Sequence, residues 1–274
     1  MRMSGLRNRV DIEQAAPSVI VVRFDGVKTG WQQWLLLTSD RHHDNIHADH
    51  GLEKLHLGMA MERDAIIIDI GDLFCAMQGR GDPRGNYDAL RPEHKTAKYL
   101  DALVDTAAQF YAPYADHWAI LGRGNHESSV EERMGTNLTD RLAAELRKQK
   151  NCAVVAAGYC GWVRFQFTIH KTVTKSLRLY WHHGSGASAP MTFGTLNVRR
   201  QASYIDSDIV LNGHTHDGYI VPLARERLTD GNRVARDVTW FLRTMTYKDE
   251  WTSERDGWAI RKGGGPKPLQ AGVR

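Results

Sequence analysis

Five short clusters of Asp, His and Asn residues could together hold divalent metal ions. Carboxylate and amide oxygens and imidazole nitrogens are the ligands that such ions take in proteins. Each cluster directly follows an apolar, β-branched run, and in open α/β sheets ligands bind at the carboxyl ends of strands. One cluster alone could be a surface turn, but five after five predicted strands indicate a shared metal site. The clusters are 39–44, 69–72, 122–127, 182–184 and 212–217.

Two of the clusters repeat a spacing of i and i+2. In extended backbone, side chains two residues apart point to the same face. Asp40 and His42 are therefore predicted to face one metal ion, with Arg41 turned away. His214 and His216 repeat this geometry after a later strand. Two histidines on one face favour a metal site over a buried structural histidine.

The other three clusters add a carboxylate, a neutral oxygen and further histidines. Asp72 follows a strand, where its two carboxylate oxygens can bridge two cations. Asn125 offers a carbonyl oxygen. His126 follows at once, cannot easily share the same metal ion, and is expected to face the substrate. The doublet His182-His183 supplies one ligand, and the residues alone leave open which of the two it is.

The elements that must position these clusters alternate along the chain. Helical spacing predicts helices over 48–63, 96–115 and 138–150, the last capped by Asn137 or Thr139. Alternation of strands and helices predicts an α/β fold with βαβ units. Strands after residue 209 predict a second, partly antiparallel sheet. The predicted strands are 19–23, 34–39, 65–70, 118–121, 152–156, 162–169, 177–181, 209–211, 219–224, 234–244 and 257–261.

Length and composition indicate a soluble globular protein. The chain has 274 residues and a net charge of +4, which permits a polyanionic substrate without indicating a dedicated nucleic-acid binder. Three cysteines without a C-x-x-C pair, and no signal-peptide or membrane-span pattern, predict a cytoplasmic protein with no membrane association. We expect a flexible N-terminus over 1–15, one domain over 16–261 and an extended tail over 262–274.

Several arginines could contact a phosphate group, because the planar guanidinium donates two parallel hydrogen bonds. Arg123 lies between two glycines and could clamp a phosphate oxygen. Arg80, Arg84 and Arg91 lie in a long predicted loop over 74–94 and could cover the site. The alternative for each of them is a solvated charge on a loop.

The ordered series Asp-x-His, Gly-Asp, Gly-Asn-His-Glu, His-Gly and Gly-His-x-His, from Asp40 to His216, resembles the calcineurin-like metallophosphoesterase superfamily. The resemblance implies a four-layer αββα sandwich, in which two mixed β-sheets are flanked by helices. Short sequence segments are similar to those of uncharacterised members from bacteria and their phages. These are the segments around Asp72 and His183 and the segment 246–250. Many relatives carry Asp where this chain has Cys75, so we expect a differently tuned site that still binds metal.

The resemblance also implies two sets of ligands with a bridge between them. Of the histidine doublet it favours His183, which precedes Gly184. Nitrogen and oxygen ligands without thiolate suit Mn²⁺, Fe, Zn²⁺, Co²⁺ or Ni²⁺, and the resemblance favours Mn²⁺. The implied ligands are Asp40, His42 and His216 for one ion, Asn125, His183 and His214 for the other, and Asp72 between them.

The predicted function is hydrolysis of phosphate diesters or monoesters by attack of a hydroxide that bridges the two ions. His126 would assist the leaving group. Asp44 or Glu127 could orient a metal-bound histidine, or either could form a surface salt bridge. The close alternative is a nuclease that uses the same site on DNA or RNA. A non-catalytic metal-binding scaffold is a weaker alternative, because His126 and every ligand position are filled.

Overall fold

The computed structural model describes residues 10–77, 87–169, 173–186, 192, 194–250 and 267–270. These residues form an α/β protein. Its strands are β1 (Val10–Ala16), β2 (Val19–Val27), β3 (Leu35–Thr38), β4 (Ile66–Asp69), β5 (Trp118–Leu121), β6 (Val155–Ala156), β7 (Cys160–Ile169), β8 (Val173–His182), β9 (Ile209–Asn212), β10 (Tyr219–Leu228) and β11 (Val234–Arg243). Its α-helices are α1 (His50–Glu62), α2 (Tyr99–Tyr111), α3 (Asn125–Met134), α4 (Leu138–Lys150) and α5 (Thr195–Ala202).

In the described part of the chain, the smaller sheet contains four strands in the order β3-β4-β5-β6. All of its pairs are parallel, because each connection passes through one or two helices and returns the chain in the same direction. The predicted βαβ units are therefore confirmed. Successive side chains on a strand point to opposite faces. Ile67 of β4 accordingly packs with the helices, whereas Ile66 and Ile68 pack with the larger sheet.

The larger sheet contains seven strands among the described residues, in the order β1-β2-β7-β8-β9-β11-β10, and mixes parallel with antiparallel pairs. The expectation of two mixed sheets is thus correct for this sheet and wrong for the smaller one. The predicted late sheet is the antiparallel pair β10–β11, which extends the larger sheet through the parallel pair β9–β11. The two sheets meet face to face through an apolar cluster that includes Val22, Phe165 and Trp181.

The helices lie on either side of these sheets. An apolar cluster that includes Leu57, Leu103 and Leu142 joins α1, α2 and α4 to the smaller sheet. On the larger sheet, Val198 of α5 packs with Val210 and Phe241. The three predicted helices correspond to α1, α2 and α4, and Asn137 caps α4 by accepting a hydrogen bond from the Asp140 N–H. Among the described helices, none has the length and apolarity needed to cross a lipid bilayer.

The two predicted termini differ from expectation. Residues 10–15, assigned to a flexible N-terminus, belong to β1, which pairs antiparallel with β2, so that part of the prediction is wrong. In the predicted extended tail, Leu269 forms a β-bridge with Thr246, and the Gln270 N–H donates to the Thr246 carbonyl at 2.7 Å. The predicted strand 257–261 lies outside the described residues.

A buried ionic network lies beneath the first predicted cluster. The side chain of Arg41 does turn away from its neighbours Asp40 and His42, as predicted. Its guanidinium donates to Asp69 Oδ2 at 2.6 Å, Glu53 Oε1 at 2.5 Å and Thr38 Oγ1 at 2.8 Å. The charged partners are fully buried. Three aromatic rings surround the cation, those of Tyr111, Trp118 and Tyr247. The network fixes the backbone between two candidate ligands.

We expect Arg41→Gln to lower the free energy of unfolding by about 3–5 kcal/mol, because it leaves two buried carboxylates without their cation. The control is Arg236→Gln, which breaks an ion pair with Glu226. The side chain of Arg236 is 80% exposed and that of Glu226 is 61% exposed. That change should cost less than about 1 kcal/mol. Urea denaturation of both variants measures the difference, and equal losses would contradict a stabilising role for the buried network.

Candidate metal centre

The first group of converging side chains joins the end of β3 to the turn after β9. Asp40, His42 and His216 are all buried, and their possible ligand atoms lie within 4.8 Å of one another. The Nε2 atoms of His42 and His216 are 3.2 Å apart. His216 Nε2 also lies 3.4 Å from Asp40 Oδ1. These are the three residues that the resemblance assigns to one ion.

The second group forms where β4, β5, β8 and β9 end. Possible ligand atoms of Asp72, His183 and His214 also lie within 4.8 Å of one another. His183 Nε2 is 3.1 Å from Asp72 Oδ2 and 3.3 Å from Asn125 Oδ1. The structure thus brings Asp72 together with the three residues that the resemblance assigns to the other ion.

Only one histidine of the doublet 182–183 lies in this second group. His183 is fully buried, and its Nδ1 lies 3.1 Å from the Ile70 carbonyl oxygen. His182 instead accepts a hydrogen bond from the Gly184 N–H at 3.0 Å, and its ring packs edge-on against Tyr159. Successive residues point to opposite sides, so the structure places His183 with the other candidate ligands and His182 outside them.

The backbone at the site is not extended, and the premise that placed Asp40 with His42 on one face is wrong. The side chains converge because the chain turns there through left-handed residues. Such conformations cost a non-glycine residue about 1–3 kcal/mol and are concentrated at functional sites. Five candidate ligands have positive φ: Asp40 (53°), His42 (49°), Asp72 (54°), His214 (73°) and His216 (60°).

Two glycines allow the strand ends to approach closely. Gly71 has a φ of 116°, and a Cβ there would overlap the backbone of Gly124. A Cβ on Gly124 would in turn overlap the carboxylate of Asp72. Only glycine therefore lets the Asp72 turn pack directly on the start of α3, which carries Asn125 as its first residue.

Two buried carboxylates hold the backbone around Asp72. They belong to Glu127 and Asp44, which were expected to orient a histidine or to form surface salt bridges. That expectation is wrong, because their oxygens accept hydrogen bonds from backbone N–H groups of the segment 72–76 and of Gly124. Glu127 accepts from Asp72, Phe74 and Gly124 at 3.1, 2.8 and 2.8 Å. Asp44 accepts from Cys75 and Ala76 at 2.6 and 3.0 Å.

His126 lies in the first turn of α3, beside both groups. Its backbone N–H donates to Asp72 Oδ1 at 2.9 Å, and its ring packs edge-on against His42. Its Nδ1 lies at hydrogen-bond distance from the Cys75 carbonyl oxygen, an acceptor, so Nδ1 carries the proton. Nε2 lies 3.8 Å from Asp72 Oδ2. The side chain keeps 12% of its surface exposed.

The segment after β11 forms a further wall of the site that sequence patterns do not predict. Glu250 Oε1 lies 3.6 Å from His216 Nδ1 and 2.9 Å from Lys248 Nζ. Glu250 is therefore placed to orient the ring of His216, as carboxylates do for metal-bound histidines. The Asp40 carbonyl accepts hydrogen bonds from Thr246 Oγ1 at 2.8 Å and from the Tyr247 N–H at 3.0 Å.

The candidate arginines have other partners or lie outside the described residues. Arg123 forms an ion pair with Glu131 of α3, which gives no support to a phosphate-clamping role. Arg91 donates to the carbonyl oxygens of Asn45 and Ala48 at 3.0 and 2.7 Å, so it fixes the chain after the first cluster. Arg80 and Arg84 lie outside the described residues, as does the middle of the 74–94 loop.

The chemistry of the site fits divalent cations. Two buried ring nitrogens of the two groups, His42 Nδ1 and His214 Nδ1, have no hydrogen-bond partner among the described residues. Unpaired buried polar atoms are costly. The Nε2 atoms of His42 and His216 converge to 3.2 Å, so both could bind one cation once the ring of His216 has lost its proton. The imidazole and carboxylate donors suit Mn²⁺, Fe, Zn²⁺, Co²⁺ or Ni²⁺.

Two of the candidate ligands hold protons in the metal-free protein. Burial opposes a charge on His183, but the carboxylates of Asp72 and Asp40 outweigh it and raise the pKa of His183 to about 10. Burial also opposes a charge on His216, and contacts with Asp40 and Glu250 raise its pKa to about 9. Their contribution to metal-free stability is complete below about pH 6.5 and is lost as pH rises through these values.

Binding of Mn²⁺ at pH 7 should therefore release about two protons per chain, because a histidine must be neutral to bind a metal. The apparent affinity should rise between about pH 7 and pH 9 for the same reason. Calorimetric titration in two buffers with different ionisation enthalpies measures the released protons. The His182→Ala variant should release the same number. A binding heat that does not depend on the buffer would contradict the assignment of His183 and His216.

Comparison of the chain with protein-family models gave no match, and comparison with curated proteins gave none either. The geometry of the two ligand groups is therefore the basis on which a function can be proposed.

Proposed function

We propose that this chain is a metal-dependent phosphoric ester hydrolase of the calcineurin-like metallophosphoesterase type. The observation that carries the proposal is the convergence of seven candidate ligands into two adjoining groups. These residues follow the ends of five different strands. The layering supports it as well. Helices α1, α2 and α4 pack on the smaller sheet, the sheets pack on each other, and α5 packs on the larger sheet, as in a four-layer αββα sandwich.

Two divalent ions would be held by the two groups, with Asp72 between them. Asp72 adjoins both, since its Oδ2 lies 3.1 Å from His183 and its backbone oxygen accepts a hydrogen bond from the His42 N–H at 3.1 Å. When bound, such cations neutralise an anionic ester and lower the pKa of water. We propose Mn²⁺ as the ion that supports activity. Burial of Asp40, His42 and Asp72 keeps bulk water from these ligands.

The residues of α3 would act on the substrate. The Cys75 carbonyl accepts the Nδ1 proton of His126, so Nε2 is the atom left for the substrate. With the ring in its imidazolium form, which a bound anionic phosphate would favour, Nε2 would give its proton to the leaving oxygen and the ring would become neutral. The amino end of α3, where Asn125 and His126 lie, carries a partial positive charge that favours an anionic phosphate. His126 and the helix end together would stabilise negative charge as the ester bond breaks.

The proposal is tested by removing metal from the chain, adding Mn²⁺ and assaying a phosphate monoester, a phosphodiester, a cyclic nucleotide and single-stranded DNA. We expect turnover of a small ester that a chelator abolishes. Cleavage of DNA in preference to the small esters, with a steep loss of binding in salt, would make the chain a nuclease. Turnover of none of the four substrates would overturn the proposal.

A further inference from the structure

A cavity of about 420 Å³ lies between the two sheets, at the end opposite to the metal centre. Leu35 and Ile209, which begin β3 and β9, line it together with Val27 and Ile169, which end β2 and β7. The candidate ligands follow the other ends of β3 and β9. A strand rises about 3.3 Å per residue, so the length of β3 alone separates the two places by roughly 10 Å. The cavity is therefore distinct from the metal centre.

Aromatic side chains form the wall of this cavity. The rings of Phe24, Trp31 and Phe167 contact one another, with centroids 4.9–5.7 Å apart. Trp31 remains 37% exposed, whereas Phe165 behind them is buried in the inter-sheet core. The volume lies within the range of roughly 300–1,000 Å³ that is usual for small organic ligands. The apolar part of a ligand in the cavity would remove aromatic surface from water, and the free energy of that burial is favourable.

Among the described residues, the charged groups that line the cavity are both cationic. Lys28 and Lys175 line the cavity and are exposed, and neither makes an ion pair with any residue that the structure describes. The side-chain amide nitrogen of Gln33, which also lines the cavity, already has hydrogen-bond partners. It donates to the carbonyl oxygens of Trp34 and Asp64 at 3.0 and 2.7 Å. The lining contains no acidic residue among the described ones. A ligand with an anionic end would therefore meet two ammonium groups that form no ion pair with a described residue.

We propose that this cavity binds a small organic carboxylate with an apolar body, whose carboxylate lies at Lys28 and Lys175 and whose body lies against the ring of Trp31. The inference is independent of the metal centre. It combines an aromatic wall, a cavity of the size that small ligands occupy and charge complementarity at one place in the fold.

Decanoate is a suitable probe, with decanol and decyltrimethylammonium as neutral and cationic probes of equal chain length. Calorimetry with the full chain should show that decanoate binds more tightly than either. The double variant Lys28→Glu/Lys175→Glu should weaken decanoate binding by about tenfold or more and leave decanol unchanged. Both lysines are exposed, so the double variant should keep the fold. A blue shift of tryptophan emission on decanoate binding should be reduced in Trp31→Phe.

The matched control is Lys98→Glu/Lys148→Glu, which changes the net charge equally at lysines outside the cavity lining. It should bind decanoate like the unmodified chain. The proposal is overturned if the unmodified chain does not bind decanoate, if it binds decanol as tightly, or if the control variant weakens binding as much as the cavity variant does.

Discussion

Replacement of His183 by alanine is expected to remove one of two bound Mn²⁺ ions per chain and to lower turnover by about a thousandfold. The ring of His183 contacts both Asp72 and Asn125, so its loss opens the centre of the second ligand group. A metal ion contributes several kcal/mol of charge stabilisation to the transition state, and each ~1.4 kcal/mol is a factor of ten. Elemental analysis of the dialysed variant counts the metal, and ester hydrolysis gives the rate.

The control is His182→Ala, which removes the same side chain one residue earlier. His182 contacts Gly184 and Tyr159, so this variant should keep two ions and most of its activity. Circular dichroism establishes that both variants are folded. Loss of metal from His182→Ala with retention in His183→Ala would show that the doublet has been assigned in the wrong order.

Replacement of His126 by alanine is expected to lower kcat by about 10²–10⁴-fold, the usual contribution of a general acid, while both metal ions stay bound. The defect should be larger for an ester with an alkyl leaving group than for one with nitrophenolate, which departs without a proton. Paired measurements on the two esters test the role of the ring more specifically than the rate alone.

His117→Ala is the matched control for this change. His117 Nδ1 also contacts a backbone carbonyl, that of Ala65, but it lies before β5, at the opposite end from the metal centre. Its removal should leave kcat for both esters unchanged. If His126→Ala loses metal in proportion to activity, or shows the same defect on both esters, the residue supports the site structurally and does not act on the leaving group.

Helix α4 and the strand β5 could be predicted with their bounds because their signals are local. Asn137 is a standard cap, and three basic residues occupy the last turn of α4, where the helix dipole favours them. Helix α3 could not be predicted from hydrophobic periodicity. Its buried residues are Glu127 and Val130, so the segment lacks an apolar stripe.

The candidate ligands could be named from the sequence, but their conformations could not. Asp40 and His214 take left-handed backbone that non-glycine residues rarely adopt alone, and only contacts between strand ends impose it. The Asp40 N–H, for example, donates to the Gly71 carbonyl at 2.9 Å. The contact between Glu250 and His216 could not be predicted from the sequence for a similar reason. It depends on the path of the chain from the end of β11 to the metal centre.

Titration of the metal-free chain with Mn²⁺ tests the proposed dinuclear phosphoesterase most directly. Bound metal and hydrolysis of bis(p-nitrophenyl) phosphate and p-nitrophenyl phosphate are measured on the same samples. We predict that turnover of at least one ester appears as the second equivalent of Mn²⁺ binds and disappears when a chelator removes it. A chain that binds two equivalents and hydrolyses neither ester, or one whose hydrolysis survives removal of the metal, would contradict the proposed function.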